Sequence, residues 1–437
     1  MTKYSKIGKI CDDFDLVQLK SVLIKNDAGD WGNEPDNNAI GIIRSTNFNN
    51  DGKLDLTNVA YRTLSVRKLE EKKLSVSDIL IERSGGSETQ PVGRVAYITE
   101  EIAKNDFAFA NFIQRISIDD TIDSKFIYYC LQHLYEMGIT SGMQTQTTGI
   151  RNLDWKQYIG TYLPKPSLPE QASIANILSK VDEAIESVKK SIEAAEKLKK
   201  SLMQNLLTGR MKPDGTLRKD DEFYVDEKFG KVPIGWDVKK VKEIFYINRL
   251  SLSNKTDDNY KFKYITIENV STEHIDFANC QEFLFKNSPG RARRYIISND
   301  ILISGVRPNL KAFAIYQRPD SNEWICSTGF HVLTAKDKVS PQFFYYQILS
   351  SIGESQFYSF VAGSNYPAIG DSDMKRMLLL VPPYDEQKNI SKKIEDVLFY
   401  QKQKKEKIET LERLKKSLMQ NLLTGKVRVG EEGKKGE

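Results

Sequence analysis

The sequence predicts an α+β protein made of one unit written twice: two pseudo-symmetric, mixed α/β globular domains separated by a long antiparallel two-helix coiled coil. Three observations predict this fold class. A helical segment recurs at a fixed spacing, a heptad pattern follows each globular part, and each globular part mixes short β-like runs with helical ones. At 437 residues the chain is long enough for two or three domains with separate cores.

The bulk composition excludes several classes of protein. No apolar run is long enough to span a bilayer and the first residues do not resemble a signal peptide, so we expect a cytoplasmic protein. The four cysteines are scattered without a CxxC pair and the three histidines are isolated, which argues against a metal site. The net charge of +5 permits a polyanionic partner without requiring one.

The repeat is read from identities at a nearly constant spacing. LKKSLMQNLLTG occupies residues 198–209 and again 414–425, so the offset is 414 − 198 = 216. In the N-terminal part DILI begins at Asp78 and again at Asp300, an offset of 222, and Phe112 matches Phe330 at 218. Because the offset falls in order along the chain, the copies are expected to share a fold and to differ by a few loop deletions.

The two copies differ unevenly. The globular parts keep hydrophobic anchors and change nearly everything between them, whereas the helical part is almost identical, including polar residues such as Ser201. Two domains that meet the same partner but different ligands would diverge in this way. The alternative is that helices simply tolerate less change. The candidate partner-docking residues are Lys199, Lys200, Gln204, Asn205, Lys415, Lys416, Gln420 and Asn421.

The helical segments carry heptad seams. A helix is expected from Pro169 to just before Gly209. Its apolar residues follow at alternating steps of four and three: Ile174, Leu178, Val181, Ile185, Val188, Ile192 and Ala195. Leu198 and Leu202 continue the seam after a phase slip. The second copy has Ile390, Ile394, Val397, Ile408, Leu411, Leu414 and Leu418, with Gln401 and Lys404 interrupting its seam. Such long stripes favour pairing as an antiparallel coiled coil. The alternative is that each helix packs only on its own domain.

This pattern divides the sequence into four segments: a globular domain at 1–166, a spacer helix at 167–212, a second globular domain at 213–382, and a second spacer helix with a polar tail at 383–437. Strands are expected at 39–43, 78–81, 94–98, 301–304 and 311–316, and helices at 124–135 and 341–351. The aromatic pairs in those two helices are interpreted as core.

Polar loops lie between the anchors. Arg, Asn, Gln, Ser and Thr are the side chains that read base edges, and glycine lets a backbone approach a phosphate closely. The alternative is that these loops are solvated surface. The candidate DNA-contacting residues are Arg44, Ser45, Asn47, Arg83, Ser84, Gly85, Gly86, Ser87, Gln90, Gln144, Gln146, Thr147, Thr148 and Arg151 in the first half, and Asn269, Arg291, Arg293, Arg294, Ser304, Arg307, Asn309, Lys311, Ser364, Asn365 and Tyr366 in the second.

Motifs for catalysis are missing from the sequence. It contains no G-x-x-x-x-G-K-[ST] nucleotide loop and no Asn-Pro-Pro-aromatic methylation motif. The stretch PYDEQK at 383–388 suggests a nuclease only superficially, because the first copy has LPEQA there, and it is better interpreted as a helix start. We therefore expect no catalytic residue in this chain.

The helix starts and ends resemble those of a known family. LPEQ at 168–171 and KSLMQNLLTG at 200–209, their second copies, GWDV at 235–238 and TTGIRNL at 147–153 are typical of the specificity (S) subunits of type I restriction-modification systems, the HsdS family. The resemblance covers nearly the whole chain. It implies two target-recognition domains, each reading half of a split target in double-stranded DNA, and paired helices that set the gap between the half-sites.

The resemblance also implies partners. The paired helices would bind two methyltransferase subunits, which restriction subunits then join, and S-adenosylmethionine, ATP and Mg²⁺ would belong to those partners rather than to this chain. Two alternatives stay open at the level of sequence. One is a coiled-coil scaffold with protein-binding end domains, and the other is a self-contained DNA methyltransferase or nuclease.

Overall fold

The computed structural model describes residues 3–87, 89–147, 150–361 and 368–429. The chain divides into two compact units. Unit 1 comprises Met1–Lys189 and Glu406–Glu437, and unit 2 comprises Lys190–Lys405. Each unit therefore contains one globular half, the beginning of the long helix that follows that half, and the end of the other long helix. The predicted segment boundaries at 166/167 and 382/383 fall just before the two long helices, whereas the compact units divide both helices internally.

Unit 1 is built on short strands. The strands are β1 (Lys3–Ser5), β2 (Gly8–Ile10), β3 (Asp15–Gln18), β4 (Leu23–Ala28), β5 (Ile40–Ile43), β6 (Ala60–Arg62), β7 (Ile79–Glu82), β8 (Ser84–Gly86), β9 (Val95–Tyr97), β10 (Ala108–Phe109), β11 (Ile113–Ile118), β12 (Gln144–Thr147), β13 (Ile150–Leu153) and β14 (Tyr162–Lys165). The helices are α1 (Val66–Lys72), α2 (Glu100–Ala103), α3 (Ser124–Glu136), α4 (Trp155–Ile159) and the first part of α5 (Leu168–Leu207).

The core of unit 1 lies between an antiparallel sheet and α3. The sheet has the order β4-β11-β7-β9, and β7 is buried along its whole length, as the apolar run from Ile79 to Ile81 predicts. Ile79 and Ile81 from β7 pack in one cluster with Phe126 and Ile127 of α3. The sheet of order β12-β13-β8 and the pair β14-β3 contribute Leu153 and Leu163 to this core, whereas Ile43 and Phe109 of the sheet β10-β5-β6 pack with Leu80 in a separate cluster.

Unit 2 repeats this design. Its strands are β15 (Phe223–Asp226), β16 (Gly230–Pro233), β17 (Asp237–Lys240), β18 (Phe245–Ile247), β19 (Lys261–Ile265), β20 (Val270–Ser271), β21 (His274–Ile275), β22 (Gln281–Leu284), β23 (Ala292–Tyr295), β24 (Ile301–Ser304), β25 (Phe313–Ile315), β26 (Trp324–Ser327), β27 (Phe330–Ala335) and β28 (Leu378–Val381). Its helices are the end of α5, α6 (Val241–Ile244), α7 (Pro341–Leu349), α8 (Ser351–Val361), α9 (Asp371–Arg376) and the start of α10 (Tyr384–Leu423).

The duplication is visible in the central sheets, which confirms the predicted fold class. The sheet β18-β27-β24-β25 of unit 2 matches β4-β11-β7-β9 of unit 1, and β17-β28 matches β14-β3. The register also repeats, because β11 aligns Ile113 with Glu82 while β27 aligns Phe330 with Ser304. The sequence match of Phe112 with Phe330 is therefore wrong by one position. Phe112 precedes its strand and is exposed.

The two long helices run antiparallel within each unit. In unit 1 Ile174 and Leu178 of α5 pack in one cluster with Met419 and Leu422 of α10. In unit 2 Leu206 and Leu207 of α5 pack with Ile390 and Ile394 of α10. In both units the beginning of one helix meets the end of the other, which confirms the antiparallel pairing. Leu198 and Leu414, assigned to the seams from sequence, are instead about half exposed.

The repeated Glu-Gln pair at each helix start has a structural role. The side chain of Gln171 accepts a hydrogen bond from Asp123 N and donates one to Pro166 O. Gln387 makes the same two bonds, with Ser340 N and Pro382 O. Asp123 and Ser340 are the N-caps of α3 and α7, so each glutamine fixes the short core helix against the long one.

The helix predicted at 341–351 is shorter in the structure. It ends at Leu349, and α8 begins immediately afterwards at Ser351 with no counterpart among the described helices of unit 1. Ser350 caps the first helix with its backbone N–H and accepts a bond from Ile352 N through its hydroxyl. Lys311, included in a predicted strand, has φ of +48° and precedes the strand instead.

Candidate nucleic-acid interface

A three-stranded sheet of unit 1 brings together two of the sequence-predicted loops. Strand β13 pairs with both β8 and β12, so that Gly86 aligns with Arg151 and Ser84 with Asn152. The Ser84 hydroxyl donates to the amide oxygen of Asn152. The stretches around residues 83–90 and 144–151, more than fifty positions apart in sequence, thus form one surface. Gln144, Gln146 and Thr147 lie on its outer strand, while Thr148 falls outside the described residues.

The remaining predicted loop of unit 1, residues 44–47, lies beside this sheet and is held by a buried ion pair. Arg94 donates to both carboxylate oxygens of Glu82, at 2.8 and 2.7 Å, and also to Ser45 O at 3.0 Å. A side chain at Gly85 would come within 3.4 Å of the Ser45 hydroxyl, so β8 and the turn that carries Arg44 are in contact. Both members of the ion pair are buried, and they position this turn.

The glycines of this surface are required by its geometry. Gly85 has φ of +111°, which side-chain-bearing residues rarely adopt. A Cβ on Gly86 would lie 2.8 Å from Gln90 O, too close to be tolerated. Gln90 closes the turn by donating its backbone N–H to Ser87, and its side chain donates to Asn50 at 3.2 Å. The Gly-Gly pair therefore shapes the loop tip.

Arg83 borders a concavity of about 570 Å³, of whose lining residues only Arg83 and Ser84 were predicted from the sequence. Its guanidinium lies 3.4 Å from Gln114 Oε1. The concavity is also lined by Asn111, Phe112 and Lys156, which are exposed and were not predicted. Phe112 was noted in the sequence only as a repeat match to Phe330, and its exposed position follows from the structure.

Unit 2 repeats the pairing at its own candidate loops. Val306 forms an antiparallel bridge with Ala368, positions that correspond by the repeat offsets to Ser84 and Asn152. Ile369 N also donates to Gly305 O at 2.8 Å. The loop around 304–311 therefore lies against the stretch that follows residues 362–367. The predicted residues Ser364, Asn365 and Tyr366 fall outside the described residues.

The loop of unit 2 has an unusual backbone. Arg307 and Lys311 have φ of +49° and +48°, a conformation that is uncommon for residues other than glycine and often marks a functional loop. They enclose a short 3-10 turn, Pro308–Leu310, on which Arg307 and Asn309 are exposed. The ammonium of Lys311 lies 3.4 Å from Glu354. Arg307 and Asn309 are thus available to a ligand.

The arginine cluster of unit 2 is joined to this loop through a turn. Thr328 N donates to Arg291 O at 2.8 Å, and Gly305 N donates to Gly329 O at 2.9 Å. Arg291 is exposed, and Arg293 lies over the ring of Phe285 at 4.8 Å. Arg294, half-buried on the same edge strand β23, has a buried Nε without a hydrogen-bond partner among the described residues.

Three of the predicted residues make internal bonds. Asn47 is buried, accepts from Arg44 N and donates to Asp55 O and Asn58 O. Asn269, its counterpart, accepts from the backbone and hydroxyl of Thr266. Ser304 is buried and donates to Val306 O. These side chains shape the loops from inside.

The predicted docking residues on the long helices separate into inward and outward sets. Lys415 is buried and forms an ion pair with Asp182 at 2.7 Å, whereas its counterpart Lys199 reaches Glu273 at 3.3 Å. Gln420 lies 3.1 Å from the ring of His133, whose pKa is lowered by burial.

The outward set is largely shared by the two copies, except that Gln204 is exposed while its counterpart Gln420 contacts His133. Lys200 and Lys416 are exposed, and Gln204 is exposed on α5. Asn205 donates to Ser201, and Asn421 donates to Ser417, at 3.3 Å in each copy. Leu198, Lys200 and Ser201 on α5 and Leu414, Lys416 and Ser417 on α10 therefore form an equivalent exposed patch on each helix.

The described residues contain no group of three or more His, Cys, Asp or Glu side chains placed to hold a metal ion. None of the described helices combines the length and apolar character needed to cross a membrane.

Comparison with known protein families accounts for both halves of the chain. Residues 12–197 and 233–413 each match the type I restriction modification DNA specificity domain. The chain belongs to this family. The two matches correspond to the two copies of the repeat, and each extends into a long helix.

Members of the specificity-domain family align with most of the chain. The type I restriction enzyme MjaVIII specificity subunit of Methanocaldococcus jannaschii is 27% identical over 70% of this chain and 71% of that protein. The MjaIX specificity subunit of the same organism is 24% identical over 98% and 97%. The crystal structure of the S subunit from M. genitalium has a TM-score of 0.54 at 17% identity, covers 96% of this chain and 99% of that one, and shows the same fold.

Proposed function

We propose that this chain is the non-catalytic subunit that selects a bipartite DNA target, with one reading surface on each unit. It binds two methyltransferase subunits, through which restriction subunits join. The observation that carries the proposal is the repeated pairing of Ser84 with Asn152 and of Val306 with Ala368 beneath loops whose exposed side chains differ. One scaffold that presents two different polar surfaces fits two different half-sites.

The chemistry of these surfaces suits duplex DNA. Arg83 and Arg151 lie at the sheet of unit 1, and Arg307 and Asn309 are exposed on the loop of unit 2. Arginine reads guanine edges with paired hydrogen bonds, and asparagine reads adenine in the same way. The same arginines also suit phosphate contacts, which position a protein without specifying sequence.

The equivalent exposed patches on α5 and α10 support docking of two copies of one partner. Lys200, Ser201 and Asn205 recur as Lys416, Ser417 and Asn421 on the helix surface. Because the surrounding globular halves have diverged, a shared partner explains why exposed polar residues stayed the same. S-adenosylmethionine, ATP and Mg²⁺ would be bound by those partners.

The test is a segment exchange in the full complex. The chain is purified with its methyltransferase subunit, and methylated sites are mapped by sequencing on random DNA. A split motif is expected. Replacing residues 213–382 with the corresponding segment of the MjaVIII subunit should change one half-site and leave the other intact, with the unexchanged chain as control.

Other outcomes would favour the alternatives. A single contiguous motif, or a change in both half-sites after the exchange, would contradict the proposal. Methyl transfer by the chain alone would identify a self-contained methyltransferase. Absence of sequence preference in the intact, partner-bound complex would favour a protein-binding scaffold.

A further inference from the structure

We propose that a short hairpin in each unit positions the reading loop of that unit against the long helix α5. The reading loops are residues 83–90 of unit 1 and 304–311 of unit 2. The hairpin of unit 1 is residues 48–54, closed by a bridge between its two ends, and that of unit 2 is residues 270–275, which form β20 and β21. We refer to both as the linking hairpins. The inference rests on the proposed function and names positioning residues for it.

The linking hairpins are equivalent in the repeat. Asn50 corresponds to Thr272 and Asp51 to Glu273, both at an offset of 222, since 272 − 50 = 222. The same offset relates the two DILI segments of the central strands. The first of these positions carries an amide in one copy and a hydroxyl in the other, whereas the second carries a carboxylate in both. Different side chains can therefore be compared at matching places in the fold.

The first position of each hairpin contacts the reading loop. The amide oxygen of Asn50 accepts a hydrogen bond from the side chain of Gln90 at 3.2 Å. The Thr272 hydroxyl donates to Lys311 O at 2.9 Å. In each unit the contacted residue is the last of the reading loop. The same connection is therefore made in both units by different groups.

The second position of each hairpin connects to α5. Asp51 forms an ion pair with Lys189 at 3.0 Å, and Glu273 forms one with Lys199 at 3.3 Å. The two lysines are not equivalent in the repeat, but both belong to α5. These ion pairs are partly exposed, and such pairs contribute little stability by themselves. They orient the hairpin, and Lys199, predicted to bind a partner, makes this contact inside unit 2.

A buried tyrosine of the short core helix binds each hairpin from below. Tyr128 of α3 donates its hydroxyl to Gly52 O at 2.9 Å, and a Cβ on Gly52 would overlap that hydroxyl. Its counterpart Tyr345 of α7 accepts from Glu273 N at 2.9 Å and donates to Phe313 O, directly after the reading loop, at 2.7 Å. Burial raises the pKa of both phenols, so each keeps the proton that it donates. Buried hydrogen bonds are stronger than exposed ones, so the tyrosines hold the hairpins in place.

The position of the reading loop matters because bases are distinguished by directional hydrogen bonds. Side chains at such a site must be held within about 0.5 Å of the productive geometry by the residues around them. A loop released from its hairpin would still attract DNA through its cations, but it would place its base-reading groups less accurately. We therefore expect loss of a linking hairpin contact to reduce discrimination at the half-site of that unit alone.

The test measures binding by the full chain in complex with its methyltransferase subunit. Affinity is compared between the target and duplexes that carry one changed base pair in either half-site. Thr272→Val removes the hydroxyl and should lower discrimination about fivefold, the effect of one hydrogen bond, at the half-site that exchange of residues 213–382 assigns to unit 2. Thr272→Ser keeps the hydroxyl and should preserve discrimination. The control Thr216→Val, which removes an exposed hydroxyl bonded to Asp214, should change nothing.

The matching change in unit 1 should affect the other half-site. Asn50→Ala should lower discrimination there by a similar factor, whereas Asn50→Asp, which keeps an acceptor for Gln90, should have a smaller effect. Asn105→Ala is the control, because its exposed amide donates only to Glu101 O of its own helix among the described residues. Reduced discrimination at both half-sites from either hairpin, or equal losses in Thr272→Val and Thr272→Ser, would contradict the proposal.

A double-mutant cycle tests the connection to α5. Lys199→Ala and Glu273→Ala should each reduce discrimination at the half-site of unit 2, and the double variant should lose no more than either single variant, because all three remove the same ion pair. Additive losses would show that the two residues act separately and would refute this connection.

Amide hydrogen exchange without DNA tests the positioning itself. The N–H groups of Leu310 and Lys311 are hydrogen-bonded within the reading loop at 2.9 and 3.0 Å. Thr272→Val should speed their exchange, and Thr272→Ser should not. Unchanged exchange, or faster exchange with full discrimination, would overturn the proposal. A contiguous motif from the unaltered complex would instead contradict the proposed function, and the exchange rates would still decide whether the hairpin positions the loop.

Discussion

Glu170 and Arg428 form a two-pronged ion pair that joins the beginning of α5 to the segment after α10, with both N···O distances at 2.8 Å. Arg428 also lies over the Phe14 ring. In unit 2 the equivalent Glu386 binds Arg218, which lies over Trp236. The acid and the aromatic residue obey the repeat offsets, whereas the arginines stand nine and three residues after Gly209 and Gly425, so equivalent segments make the same contact from shifted positions.

Loss of this junction should destabilise unit 1. Arg428→Ala leaves the buried Glu170 carboxylate unpaired, and we expect a loss of about 1–3 kcal/mol in the free energy of unfolding, measured by urea denaturation of the full chain. Hydrogen bonding to Glu170 raises the pKa of Arg428, so the guanidinium stays protonated throughout the measurement. Arg413→Ala, which removes an exposed arginine of α10 with one bond to Thr410, is the control and should change little. Equal effects of the two would contradict the prediction.

The buried Glu82–Arg94 pair should be more important for stability. Arg94→Met removes the partner of a carboxylate that is 1% exposed and releases the turn at Ser45. We expect a loss of about 3–5 kcal/mol, since an unpaired buried charge is strongly unfavourable. The exposed pair of Arg67 with Glu71 on α1 is the comparison, and Arg67→Met should cost less than about 0.5 kcal/mol. Similar midpoints of urea unfolding for both variants would refute this.

Asp300 should make unit 2 sensitive to pH. Burial raises the pKa of this carboxyl from 3.8 to about 6 in the folded state. Hydrogen bonds from Ile297 N and from the Thr334 side chain lower the pKa but do not offset the burial. Because the folded state binds the proton more tightly, the stability from Asp300 is full below about pH 3.8 and is lost as pH rises through 6.

The variant Asp300→Asn isolates this titration. Its free energy of unfolding, relative to that of the unaltered chain, should rise by about 2–3 kcal/mol as pH increases from about 4 to 6, and should then stay constant. Urea unfolding at half-unit pH steps measures the difference, with the exposed Asp337→Asn as control. A difference that does not vary across this window would show that Asp300 does not titrate there.

Arg83 should contribute to DNA binding from the surface of unit 1. We expect Arg83→Ala to lower the affinity of the partner-bound complex for its target by about 1–3 kcal/mol if the side chain reads a base. Discrimination would then relax at one position of one half-site, whereas uniform weakening with a smaller salt slope would mark a phosphate contact. Gel-shift titrations at several salt concentrations separate the two. Arg67→Ala, on an exposed helix, is the control, and an equal effect there would remove Arg83 from the interface.

Neighbouring lysines of α10 should have different roles. Lys415→Ala breaks a buried ion pair with Asp182 and should lower the stability of unit 1. Lys416→Glu alters an exposed side chain, so it should leave unfolding unchanged and reduce retention of the methyltransferase subunit during co-purification. If Lys416→Glu retains its partner and Lys415→Ala leaves stability intact, the inward and outward assignment is wrong.

Much of the architecture could be predicted from sequence. The duplication, both long helices and the central strands follow from periodicity that a single chain displays directly. Helix α5 was expected from Pro169 and begins at Leu168, because proline at a helix start and glycine after its end are strong local signals. The strand of Ile79–Glu82 is similarly marked by the apolar run from Ile79 to Ile81.

The remainder depends on contacts between distant residues. Nothing local indicates that Gly86 aligns with Arg151, since that register is fixed by tertiary packing. The division at Ser350 was missed because apolar residues continue through it into α8. The Arg218–Glu386 contact could not be found by comparing the two copies of the repeat, because no arginine lies at the position equivalent to Arg218.

The division of the long helices between the units affects the order in which this protein can fold on the ribosome. Unit 2 is contiguous, from Lys190 to Lys405, but the core of unit 1 includes Met419, Leu422 and Leu423. Until those last turns are synthesised, Ile174 and Leu178 lack the residues that cover them. The half of the chain made first is therefore the last to be completed, and a nascent chain stopped before Met419 would expose an apolar stripe to chaperones and proteases while unit 2 already holds all of its residues.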